Sequence, residues 1–108
     1  MSDGKQDPTD RFDAVDSNLT VFALANGIDL VKGEGHRRLE WFSEGLERGI
    51  VIEVRGDGAF DVTALTWRGR SPGRRSEAVV AEEVPAPGLR DTLAQAIDTA
   101  NGLDAPVE

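Results

Sequence analysis

The chain holds one histidine and no cysteine or tyrosine, so any chemistry falls to carboxylates, arginines or His36. Nucleophilic catalysis by Ser or Thr needs an adjacent base, and thiolate chemistry, disulfides and Cys-based zinc sites are excluded. His36 and Glu40 stand four residues apart, a spacing that on one helical turn lets two side chains share a divalent metal. No third ligand is identifiable, so the pair is read as a solvated helix start, and no metal, cofactor or catalytic residue is expected. Glu40, Glu44 and Glu47 repeat on the polar side of the same expected helix, where charge ordinarily sits. Arg55-Gly56-Asp57 spells an adhesion tripeptide but is better explained as turn chemistry between two strands.

The densest set of chemistry-bearing residues runs from Trp67 to Arg75, Trp-Arg-Gly-Arg-Ser-Pro-Gly-Arg-Arg. It places four of ten arginines in one short segment of a chain whose formal net charge is -8. A guanidinium on a Gly- and Pro-containing connection stays available to a carboxylate or a phosphate. Arg68, Arg70, Arg74 and Arg75 are therefore the candidate partner-binding residues. Trp67 joins them from the adjoining strand, and Trp41 does so because it is out of phase with the apolar stripe of its helix. The function expected from this set is a non-catalytic protein–protein interaction or regulatory module, its partner an acidic protein or a second copy in a homodimer. The alternative is a nucleic-acid-binding protein that contacts phosphates through the same loop, which the acidity of the remaining chain opposes. An enzyme of unknown type ranks third.

These residues need a scaffold, and 108 residues with 39% hydrophobic and 30% charged content provide one domain with one core. No stretch approaches the roughly 18 apolar residues of a membrane span, and residues 1–8 lack a secretory apolar region, so a cytoplasmic protein without membrane contact is expected. Residues 1–16 carry five aspartates and only Phe12 and Val15 as sizeable apolar groups, which predicts a disordered acidic tail. The α+β domain then spans 17–103, and 104–108 form a short C-terminal tail.

Val21, Leu24, Ala25, Ile28 and Val31 follow helical spacing, with Gly33 as the stop. Against this, Asn26-Gly27 is a strong hairpin turn, so residues 19–32 are read as helix or hairpin with a narrow preference for helix. His36 to Arg48, with Leu39, Phe42 and Leu46 on one face, predicts a second helix. Ile50, Ile52 and Val54, then Phe60, Val62 and Ala64, alternate about Gly56-Asp57-Gly58 as a β-hairpin, and Glu77–Val84 returns as a third strand. Leu89, Leu93, Ala96, Ile97 and Ala100 follow Pro85 and Pro87 as a closing helix. The expected fold is a three-stranded antiparallel sheet with two N-terminal helices and one C-terminal helix packed on one face. Strands followed by a helix are similar in order alone to double-stranded-RNA-binding domains, but the closing helix lacks their lysine cluster and no function follows from it.

Overall fold

A computed structural model describes residues 12–56, 58–68 and 75–104. Helix α1 (Asp13–Asn26) precedes five strands, β1 (Asp29–Gly33), β2 (His36–Ser43), β3 (Leu46–Val54), β4 (Phe60–Trp67) and β5 (Arg75–Val84); a 3-10 turn then leads into helix α2 (Leu89–Gly102). The strands pair antiparallel in chain order, and both helices pack on one face of the sheet. The α+β class stands. The three-stranded sheet and its second N-terminal helix are corrected to five strands with one helix at each end.

The correction has two physical sources. Asn26-Gly27 closes a helix instead of a hairpin: Gly27 takes a left-handed φ of 67°, and the Ile28 amide donates to the Ala23 carbonyl at 2.8 Å. Buried Ile28 follows this C-terminal cap as its apolar contact. The helix ends there, and residues 29–33 continue as β1. The expected second helix, His36–Arg48, is instead a hairpin of β2 and β3 about Glu44-Gly45, which take φ of 55° and 79°. Two left-handed residues make the turn whose twist matches paired strands. On β2, Arg37, Leu39 and Trp41 point to the helices while Arg38, Glu40 and Phe42 point away. That period of two is hidden in the sequence because Arg37 and Arg48 occupy inward positions.

Both arginines are almost fully buried. Arg37 grips α1: its Nε and Nη2 donate to the two carboxylate oxygens of Asp16 at 2.9 and 3.0 Å, and Nη1 donates to the carbonyls of Gly33 and His36. Its guanidinium also lies 4.2 Å from the centroid of the Phe12 ring. Arg48 grips α2 from the next strand, its Nη1 donating to the carbonyls of Ala100 and Leu103 at 2.8 and 2.9 Å. These oxygens lie at the negative C-terminal end of the helix, where the Ala100 carbonyl also accepts from the Leu103 cap amide at 3.2 Å.

Phe12, Val15, Leu19 and Ala23 form the buried stripe of α1, whereas Val21 and Leu24 of the expected stripe are exposed. The tail expected over residues 1–16 therefore overlaps the fold at 12–16, and residues 1–11 and 105–108 lie outside the described residues. Phe12 packs against Phe60, with ring centroids 5.4 Å apart. The rest of the core joins Leu39, Ile50, Ile52 and Val62 of the sheet to Leu89, Leu93 and Ala96 of α2.

Removing residues 1–16, nearly neutral on the sequence reading, should cost at least about 3 kcal/mol in urea denaturation, since it takes Phe12 and Val15 from the core and the partner from Arg37. Asp16→Ala alone should cost about 2 kcal/mol or more by leaving a buried guanidinium unpaired. Combining Asp16→Leu with Arg37→Met should recover most of that loss, because two apolar groups need no mutual partner.

Candidate functional site

Because both helices cover the same face, the opposite face of the sheet is left open. Strand register sets its side chains in rows. Val31, Arg38, Val51, Thr63 and Val79 form one; Asp29, Glu40, Gly49, Leu65 and Glu77 the next; Phe42, Glu47, Trp67 and Arg75 the third. The middle of this face is a groove of about 510 Å³ between the Arg38 and Glu40 flank on β2 and the Arg75 and Glu77 flank on β5.

Trp67 shapes the groove floor. A Cβ placed on Gly49 would come within 3.1 Å of Trp67 Cζ3 and 3.3 Å of Cη2, so the indole lies across the strand where Gly49 has no side chain. Glycine weakens a strand interior, and an aromatic laid over it restores part of the lost packing. Leu65, paired with Gly49, is buried, while Val79 and Phe42 on the same face are 64% and 66% exposed.

The arginines of this face are already paired. Arg38 Nε lies 3.4 Å from Glu40 Oε2, and Arg75 Nε donates to Glu77 Oε2 at 2.6 Å. At the far end of the sheet Asp61 accepts from Arg55 Nη1 at 3.1 Å and from the Glu83 amide at 3.1 Å, which holds Glu83 in its left-handed conformation beside the β5 bulge. Against Arg38, Arg55 and Arg75 the face carries Asp29, Glu40, Glu47, Glu53, Asp61 and Glu77. Among the described residues it is therefore net acidic, which repels a phosphate backbone.

The sequence-derived candidates separate in space. Trp67 and Arg75 are neighbours across β4 and β5, and Arg68 is exposed just beyond β4. Arg70 and Arg74 lie outside the described residues. Trp41 is on the helix-covered face, where its Nε1 donates to Asn101 Oδ1 at 3.0 Å and ties β2 to α2. His36 and Glu40 lie on a strand and not on one helical turn, roughly 13 Å apart along it at the usual rise, so they cannot share an ion. No three His, Cys, Asp or Glu side chains converge as metal ligands among the described residues.

Sequence reasoning missed Arg38, Val51, Leu65, Glu77 and Val79, and placed Glu40 on the solvated side of a helix. A signal for the apolar ones was present. Ile50-Val51-Ile52, Ala64-Leu65 and Ala78-Val79-Val80-Ala81 are apolar at both parities of the strand, as in strands covered on both faces.

Gly49→Val should lift the indole off the strand, seen as a red shift of Trp67 emission in a Trp41→Phe background; unchanged emission would contradict the stacked placement. No helix among the described residues is long and apolar enough to cross a membrane. Comparison with known proteins found no matching protein-family model, no matching curated protein and no matching solved structure.

Proposed function

We propose that the chain is a non-catalytic protein-docking module whose contact surface is the open face of the sheet, with Trp67 as its anchor and Arg75 and Arg68 at its rim. The observation that carries this reading is the amphipathic layout of that face. Val51, Leu65 and Trp67 form an apolar centre, and paired charges flank it on β2 and β5. An apolar centre with a polar rim is the usual anatomy of a protein interface, and tryptophan is over-represented among residues whose truncation costs most binding.

Strand composition supports the same reading. A sheet with one face in water ordinarily alternates apolar and polar residues, whereas β3, β4 and β5 carry apolar residues on both faces. The excess carboxylates on the face disfavour a polyanion, and they disfavour a strongly acidic protein for the same reason. The flanking ion pairs are partly exposed, so each contributes little to stability and can exchange for an intermolecular partner at small cost.

Site-specific photo-crosslinking tests the surface. A benzophenone side chain at Thr63, on the open face, should give discrete protein adducts in cell extract, and the same probe at Gln95, exposed on α2, should not. Absence of protein adducts at Thr63, or equal yields at the two positions, would overturn the reading.

A further inference from the structure

We propose that Asn101 is a site of spontaneous covalent modification, deamidated through a cyclic imide formed with the Gly102 nitrogen, and that the fold shields the matching bond at Asn26. Both helices end on nearly the same local sequence, Ala25-Asn26-Gly27-Ile28 in α1 and Ala100-Asn101-Gly102-Leu103 in α2. Asn-Gly bonds are prone to this reaction because glycine has no side chain to hinder approach to its nitrogen. With the local sequence matched, a difference in rate comes from the structure.

In the reaction the glycine nitrogen loses its proton and bonds to the asparagine Cγ, the Cγ–Nδ2 bond breaks, and ammonia leaves. Water then opens the imide at either carbonyl and gives aspartate or isoaspartate, the latter with its backbone running through Cβ and Cγ. The attack requires the asparagine ψ to leave its helical value and the glycine N–H to be released, so the rate follows local opening of the helix end.

The two ends are closed differently. At α1, Gly27 takes a φ of 67° and its N–H is shared between the carbonyls of Ala23 and Leu24, while the Ile28 N–H donates to Ala23 at 2.8 Å and the buried Ile28 side chain seals the cap. The leaving nitrogen is held as well, since Asn26 Nδ2 donates to the Phe22 carbonyl at 2.9 Å. At α2 the cap residue Leu103 is extended, with φ -74° and ψ 138°, and its N–H donates to the Ala100 carbonyl at 3.2 Å. This end is fastened from the sheet instead, by Arg48 Nη1 on the carbonyls of Ala100 and Leu103 and by Trp41 Nε1 on Asn101 Oδ1. None of these bonds holds the attacking or the leaving nitrogen.

Modification at this position acts on the anchor of α2. An isoaspartate at 101 inserts one backbone atom between the two carbonyls that Arg48 holds, and either product adds a negative charge to a last turn that has no basic residue. The end of α2 then loosens from β2 and β3.

Peptide mapping by mass spectrometry, on the full chain incubated at physiological temperature and mildly alkaline pH, tests this. Asn101 should convert at least about fivefold faster than Asn26 in the folded chain, and the two rates should agree within about twofold in urea, where both helix ends are open. Equal native rates, or faster conversion at Asn26, overturn the proposal, and so does a difference that persists in urea, which would be intrinsic to the sequence. Trp41 emission, read in a Trp67→Phe background with folding checked by circular dichroism, should move to the red as Asn101 converts. It should stay constant over the same period in Asn101→Gln, whose longer side chain closes the imide far more slowly. Emission that does not follow conversion overturns the loosening of α2.

Discussion

Two buried arginines organise this small domain. A guanidinium taken out of water needs partners for its donors, and Arg37 and the Nη1 of Arg48 find them by reaching from adjacent strands to opposite helices, while the buried Nε of Arg48 has no hydrogen-bond partner. Arg37 is held by a carboxylate, two carbonyls and an aromatic face, whereas Arg48 is held chiefly by carbonyls at the end of α2. Neither arrangement tolerates a shift of register. A slip of one residue along β2 or β3 turns its arginine to the open face and removes the fixed partner of one helix. The pairs therefore add specificity to a core that small size leaves limited, a role distinct from raw stabilisation, since buried ion pairs recover little net energy after desolvation.

The same constraint explains why the two faces of the sheet differ. Both anchoring arginines point one way, so both helices are drawn to one side and the other side has no element of the described chain to cover it. Stability comes from the covered face, where Phe12, Leu39, Ile50, Ile52 and Val62 interlock with the helices. The open face has no such packing among the described residues. Its three rows are not a polar surface with stray apolar residues; they hold an indole lying over a glycine, a buried leucine and flanking Arg–Glu pairs. Arg38 and Arg75 are each paired locally with a glutamate of their own strand.

Elements whose apolar period was intact were legible in the sequence. The hairpin about residues 55–59, the strand ending at Val84 and the closing helix stand within a few residues of their expected positions because Ile50, Ile52, Phe60, Val62, Leu89 and Leu93 are apolar where the geometry points inward. The N-terminal half was misread where inward positions are not apolar. With Arg37 and Arg48 counted as polar, Leu39, Phe42 and Leu46 fall on a helical spacing, although Phe42 lies on the opposite face from Leu39. Helix α1 was displaced for a related reason: five aspartates among the first sixteen residues masked Phe12 and Val15, and one of the five, Asp16, is the partner of Arg37.

Charge therefore misleads in both directions here. An arginine with fixed acceptors behaves as a core residue, and Val51 and Val79 of the open face lie among charged side chains. Periodicity detects only the difference between two faces, so a strand apolar on both yields no alternation and is noticed for its outward residues only when its unbroken run is itself taken as the signal. In β3 that run is Ile50-Val51-Ile52, where the outer isoleucines meet the helices and the valine between them lines the groove. One strand thus shows both faces at once: its inward residues pack against the helices, and its outward valine lines the open groove.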